Sequence, residues 1–192
     1  VDASGKAVLP GFVDSHTHFV FGGYRAEEFT WRLQGMSYMD IMAQGGGIVS
    51  TVDATRKATK EELIALGKKR LDSMLAFGVT TVEGKSGYGL DYATEVKQLV
   101  VMAELDATHP VDIVRTFLGA HAVPRNYQGN EEGFIEYIIR DILPDVAKGK
   151  LAEFCDVFCE KGVFSIGQSR RLLENAHSLG FQLKIHADEI TP

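Results

Sequence analysis

Val8-Leu9-Pro10-Gly11-Phe12-Val13-Asp14-Ser15-His16-Thr17-His18 is an apolar run that ends in two imidazoles separated by one residue. Side chains on a strand alternate faces, so His16 and His18 point the same way and both can reach one ion. Polar ligands at the end of an apolar run occupy the strand's C-terminal mouth, where α/β barrels carry their chemistry. The H-x-H spacing alone also fits two surface histidines. The decision therefore rests on what the other strand ends carry.

Working outward, the predicted first strand, residues 8–18, is followed by an irregular stretch to about residue 58 that holds Gly22, Gly23, Gly45, Gly46 and Gly47. It far exceeds an ordinary βα connection, which predicts a functional loop with some helix of its own. Thr59-x-x-Glu62 is a capping box for a helix whose Leu63, Leu66, Leu71, Met74 and Leu75 form an inward stripe, stopped at Gly78. A strand follows over Val79–Glu83. Asp91 then caps a helix carrying Val96, Leu99, Val100 and Ala103 on one face, and Pro110 closes the linker before a strand from Val111 to Leu118. A helix over 131–143 buries Phe134, Ile135, Ile138, Ile139 and Ile142, and a strand covers about 155–159. Ser165-x-x-Gln168 caps a helix through Leu172, Leu173 and Ala176 to Gly180, before a last strand from Phe181 to His186.

Strands that alternate with helices in this way form a parallel sheet, either doubly wound or closed into a barrel. No G-x-G-x-x-G follows the first strand, and Gly45-Gly46-Gly47 lacks the lysine of a phosphate loop. The strand ends favour the barrel. His16 and His18, Glu83 with Tyr88, His121, Glu160, and His186 with Glu189 fall at or just past five successive C-terminal ends. Such convergence marks the active face of a (β/α)8 TIM barrel.

Composition narrows the partners. At 192 residues, with 45% hydrophobic and 24% charged residues, the chain is long enough for one domain with a substantial core. Its 20 basic and 26 acidic residues give a formal charge of -6, and Lys68-Lys69-Arg70 and Arg170-Arg171 lie within helical patterns as solvated faces. Nucleic acid is therefore not an expected partner. No apolar run approaches the ~20 residues a membrane span needs, and no signal segment opens the chain, so a cytoplasmic location without a membrane partner is expected. Cys155 and Cys159 sit four apart on one predicted strand, about 13 Å from each other and too far for a disulfide. Both are expected to be reduced core thiols.

His16, His18 and His186 could supply much of a borderline-soft site for zinc or iron, completed by a carboxylate or water. A metal in such a site lowers the pKa of water toward ~7 and polarises a carbonyl, as hydrolysis of an unreactive amide requires. Glu189, three residues past His186, is placed to shuttle a proton to a leaving nitrogen.

The opening Gly5-Lys6-Ala7-Val8-Leu9-Pro10-Gly11-Phe12-Val13-Asp14-Ser15-His16-Thr17-His18 resembles the barrel entry of the metal-dependent amidohydrolase superfamily, and His186-Ala187-Asp188-Glu189 resembles its fifth-strand ligand. Three further features closely resemble the imidazolonepropionase family within it. They are H-T-H-x-x-F-G-G-x-R-x-x-E around Arg25, Glu83-Gly84-Lys85-Ser86-Gly87-Tyr88-Gly89-Leu90, and Leu118-Gly119-Ala120-His121-Ala122. The resemblance implies hydrolysis of the ring amide of 4-imidazolone-5-propanoate to N-formimino-L-glutamate, in histidine degradation. It implies His16, His18 and His186 as ligands of one metal ion, zinc or iron. Arg25, Tyr88, His121 and Glu189 would then hold substrate, with Glu189 and His121 also catalytic.

Residue chemistry agrees: the Arg25 guanidinium suits a propionate carboxylate, Gly87 and Gly89 let Tyr88 approach a ligand, and His121 could donate to an oxyanion or ring heteroatom. Glu160, with Lys161 beside it, stands about where two-metal members carry a bridging lysine, which favours one metal.

The family also places a further histidine at the end of strand six and an aspartate metal ligand and base at the end of strand eight, whereas this chain reaches only past the fifth. Residues 1–7 resemble the tail of a β-sandwich segment, and residues 8–192 the N-terminal portion of the barrel, about its first five β/α units. The chain thus reads as an internal fragment, incomplete for catalysis alone and with a sheet edge open to pairing, such as a homodimer. Two alternatives stay open. One is a ring deaminase of the same superfamily, which would offer Arg25 no carboxylate. The other is a non-catalytic metal-binding or interaction module.

Overall fold

The computed structural model describes residues 1–37, 40–41 and 45–191. Residues 38, 39 and 42–44, within the long loop anticipated after the first strand, lie outside the described residues, as does residue 192. Five strands form one parallel sheet in sequential order: β1 (Phe12–Thr17), β2 (Val79–Lys85), β3 (Asp112–Ala120), β4 (Phe154–Val157) and β5 (Gln182–Leu183). Helices connect them. The first connection holds α1 (Ala26–Leu33), α2 (Ile48–Lys57) and α3 (Lys60–Ala76), and α4 (Tyr92–Thr108) joins β2 to β3. Between β3 and β4, α5 (Glu131–Tyr137) runs through a π-helical turn at Ile138–Ile142 into α6 (Leu143–Lys148). The last helix, α7, spans Ile166–Ser178.

The predicted punctuation is present. Both capping boxes form reciprocally, Thr59 with Glu62 and Ser165 with Gln168, and the Asp91 side chain accepts from Thr94 N. Such a cap contributes about 1 kcal/mol. Gly78 and Gly180, just beyond α3 and α7, adopt φ of 88° and 93°, a conformation that suits glycine.

Several boundaries differ from expectation for physical reasons. The first strand starts at Phe12 rather than Val8, because Phe12 already pairs with Val79, the first residue of β2. The helix predicted over 131–143 continues to Lys148: the π turn accommodates the extra residue, and Pro144 sits in the first turn of α6, where its missing N–H costs little. β5 is short, yet its hydrogen bonding continues as Lys184 N to Cys155 O (2.9 Å) and His186 N to Val157 O (2.9 Å).

The apolar core lies between the sheet and its helices. One cluster joins Phe19, Val20, Val82 and Ile113 to Leu63 and Leu71 of α3 and Met102 and Leu105 of α4. A second joins Phe117, Cys155 and Val157 to Phe134, Ile138 and Ile142, and to Leu172 and Ala176 of α7. The buried row of α3 is Leu63, Gly67 and Leu71, whereas Leu66 and Met74 are half-buried and Leu75 is exposed. A Cβ on Gly67 would stand 2.6 Å from Leu105 Cδ1, so the two helices meet there too closely for the predicted stripe. On α4, Val96, Val100 and Ala103 are only half-buried, and Glu95 and Gln98 are fully buried instead. Both cysteines are free as expected, but Cys159 is half-buried rather than in the core.

Alternation divides the strands' chemistry. Val82, Cys155 and Val157 face the helices, while the intervening Glu83, Lys85, Asp156 and Lys184 meet one another on the other face. That face curls. A flat sheet would hold β1 and β5 roughly 19 Å apart, yet His16 Nε2 and His186 Nε2, from those two edges, are 3.0 Å apart. No described helix is long and apolar enough to cross a membrane.

Candidate metal centre and binding site

The curl delivers three imidazoles to one point. His16 is on β1, His18 one residue beyond it, and His186 follows β5; one ring nitrogen from each lies within 4.8 Å of the others. Their surroundings differ. His186 Nδ1 lies 2.9 Å from Asp156 Oδ2, and because a carboxylate can only accept, this contact keeps the proton on Nδ1 and leaves Nε2 facing His16. Burial first, and then the neighbouring imidazoles of His121, His186 and His16, push His18 down to about 2, so it stays neutral at ordinary pH. Burial also lowers His16. Neutral imidazole is the form that ligates a metal.

The donor set therefore fits a metal ion. His18 Nδ1 is buried with no hydrogen-bond partner among the described residues, and such an orphan is costly unless something binds there. Three imidazoles in reach of each other suit zinc or iron.

Beneath the cluster lies a network of alternating charge. Lys85 Nζ bonds Glu83 Oε1 at 2.9 Å and Asp156 Oδ2 at 2.8 Å, with all three side chains 4% exposed or less. Lys184 Nζ (2.5 Å) and Thr116 Oγ1 (2.5 Å) also donate to Glu83 Oε1. Burial pushes both carboxyls up, but these bonds outweigh it and hold Glu83 and Asp156 below the usual carboxylate range. Among the participants only Glu83 was singled out from the sequence. The available signal is a pair of polar residues two apart, Glu83-x-Lys85 at the end of the second expected strand and Lys184-x-His186 inside the last.

His121 and Tyr88 complete an aromatic wall. The His121 ring stacks on His18 with centroids 4.8 Å apart, and Tyr88 lies 5.5 Å from His18 and 5.4 Å from His121. His121 Nδ1 is 3.0 Å from Gly87 O, and burial pushes this imidazole down to about 4. The Tyr88 hydroxyl is pushed up by burial, against a smaller downward pull from the charge of Arg25. Arg25 stands at the N-cap position of α1 without a side-chain capping bond, contacts Glu28 at 3.6 Å and borders a cavity of about 310 Å³ with Tyr24, Trp31 and Ser50. Arg70 of α3 fastens that loop, donating to Phe19 O (2.8 Å) and Phe21 O (2.9 Å) with its guanidinium 3.6 Å from the Phe21 centroid.

Among the described residues Arg25 is paired with Glu28 and not with the imidazoles, and Glu189 is likewise not brought into contact with the other predicted residues: its side chain is exposed. Its backbone is nonetheless fixed, because Glu160 accepts from the N–H groups of Glu189, Ile190 and Thr191 and from Thr191 Oγ1. Glu160, which stands about where two-metal members carry a bridging lysine, thus braces the loop after β5. A larger cavity, about 690 Å³, lies beside Glu160, Lys161 and Phe164 and contains none of the imidazoles.

The bonds to Glu160, led by Ile190 N–H, hold its pKa at about 2 against an ordinary 4.5. A depressed carboxyl contributes its stabilisation fully above the ordinary value and loses it as pH falls through the folded value. Amides 189–191 are therefore expected to lose hydrogen-exchange protection as pH drops from about 4.5 to about 2, before those of β3 do. Simultaneous loss in both segments would refute the bracing role.

A family model described as "Amidohydrolase family" matches residues 1–55. A protein named imidazolonepropionase from Clostridium tetani is 67% identical over 190 residues, 99% of this chain and 45% of the relative. Proteins of the same name from Parabacteroides distasonis and Alkaliphilus metalliredigens are each 58% identical, over 100% and 99% of this chain and 46% and 45% of the relatives. The chain spans less than half the length of these relatives.

Proposed function

Since the chain belongs to the imidazolonepropionase family of amidohydrolases, we propose that the protein containing it hydrolyses the ring C–N bond of 4-imidazolone-5-propanoate to N-formimino-L-glutamate. One observation carries the reading: imidazoles from the two opposite edges of the sheet meet within 4.8 Å, beside an aromatic wall of His121 and Tyr88. The same curl supports a (β/α)8 barrel of which this chain forms about the first five units, since a closed eight-strand ring sets its first and fifth strands across one axis. Residues 1–7, which form no strand here, are then the tail of a neighbouring segment, and residues 8–192 the barrel portion.

In this reading His16, His18 and His186 hold one zinc or iron ion. The ion would supply Lewis acidity and an activated water. The chain's own residues do the rest. Asp156 keeps the His186 lone pair facing its neighbours, while Tyr88 and His121 wall the heterocycle and exclude water from one side. Arg25 clamps the propionate carboxylate, and its charge discriminates against a nucleobase-like ring without one. Glu189, braced through Glu160, carries a proton to the leaving nitrogen once substrate draws its side chain inward.

The test is turnover of 4-imidazolone-5-propanoate by the full-length protein and by its Arg25→Ala variant. Loss of a charge-assisted contact is expected to raise KM about 10–100-fold with kcat little changed. Unchanged KM would remove Arg25 from the site, and no turnover by the metal-loaded parent would overturn the reading.

A further inference from the structure

The loop between β2 and α4 is wrapped around a carboxylate that touches no ligand. Glu95, fully buried in the first turn of α4, accepts from Gly87 N at 2.9 Å through one oxygen, and from Gly89 N at 2.8 Å and Leu90 N at 2.9 Å through the other. It thereby holds an unfavourable backbone. Gly87 has φ 108° and Leu90 φ 55°, two left-handed residues in a span of four. The packing is close on both sides: a Cβ on Gly87 would stand 2.9 Å from His121 Nδ1, and one on Gly89 2.7 Å from Glu95 N.

The other end of the Gly87 residue meets His121. Gly87 O lies 3.0 Å from His121 Nδ1, and a carbonyl can only accept, so the proton of a neutral His121 is on Nδ1. Nε2 then carries a bare lone pair, and no described residue bonds it. This reverses the donor role that His121's strand-end position suggests. We propose that Glu95 is a positioning residue: by pinning the 87–90 turn it aims the Gly87 carbonyl, fixes the His121 tautomer, and makes His121 an acceptor for a ring N–H of the bound heterocycle. The last clause rests on the function proposed above, whereas the tautomer does not.

The experiment uses full-length protein labelled with ¹⁵N-histidine, with the His121 ring assigned through a His121→Asn variant. Long-range ¹H–¹⁵N spectra of the parent are expected to show His121 protonated on Nδ1 and bare on Nε2. Glu95→Gln presents an NH₂ to one of the backbone N–H groups. It should shift His121 to a mixture of tautomers and lower kcat/KM for 4-imidazolone-5-propanoate about 100-fold, with metal content unchanged. Gly87→Ala, which keeps Glu95 but crowds the ring, should move the same signal and decides the matter if Glu95→Gln fails to fold. A parent spectrum with the proton on Nε2, or a folded Glu95→Gln with an unaltered His121 signal, would overturn the proposal. The expected tautomer in a protein that does not turn over the imidazolone would sink the functional reading and leave the positioning role of Glu95 standing.

Discussion

Replacing Lys85 with methionine in the full-length protein is expected to cost about 3–5 kcal/mol of unfolding free energy, the range for breaking a buried ion network from one side. Lys85 is 3% exposed and lies between Glu83 and Asp156, so its removal leaves two buried carboxylates without their shared cation. Neither can turn to water. Glu83 would keep Lys184 and Thr116, and Asp156 would keep His186, so the loss should fall hardest on Asp156 and through it on the imidazole cluster. Lys184→Met is the internal control. Its side chain is 29% exposed, Glu83 retains Lys85 in its absence, and solvent screening holds its expected cost to about 1 kcal/mol or less. Denaturant unfolding monitored by circular dichroism measures both. A Lys85→Met cost no larger than that of Lys184→Met would show that the network contributes nothing beyond surface pairing.

This network also shows where sequence reading stops. The alternation of strands and helices was legible because it is written locally, in the two capping boxes, in the glycines after α3 and α7, and in apolar runs of strand length. The H-x-H pair and His186 were legible because ligation needs particular residue types at a strand's mouth. The charged face was not, because β4 and β5 are too short for a period of two to stand out, Lys85 lies beyond the expected end of β2, and the pairing of Lys85 with Asp156 spans 71 residues. Glu95 and Gln98 were missed for a related reason. Read by helical periodicity they belong to a solvated face, but Glu95 is satisfied by the N–H groups of a neighbouring turn, and Gln98 by Tyr88 N and Val20 O. The π turn at 138–142 carries no sequence signature at all. It merges into a single helical pattern because Ile138 and Ile142 remain buried on the expected side, whereas Ile139, expected beside them, is only half-buried.

The strongest functional effect is expected from His186. In the full-length protein, His186→Ala should lower affinity for zinc or iron by more than the ~10–100-fold that losing an outer partner costs, because it deletes a donor rather than its support. Asp156→Asn should fall within that smaller range: an asparagine oxygen in the place of Oδ2 can still accept from His186 Nδ1 and Lys85 Nζ, but its NH₂ group would then face the Val157 N–H that now donates to Oδ1 at 2.8 Å, and the buried negative charge is lost. The two variants separate ligation from orientation. His16→Ala and His18→Ala should resemble His186→Ala, since each supplies one of three mutually adjacent nitrogens, whereas His121→Ala should leave metal content unchanged although its ring stacks on His18. Equilibrium dialysis against a chelator, with metal measured by mass spectrometry, reads all five variants without any assay of turnover. If His186→Ala bound metal as tightly as the parent, the imidazoles gathered from β1 and β5 would be a packing arrangement. Asp156 would then have no ligand to orient.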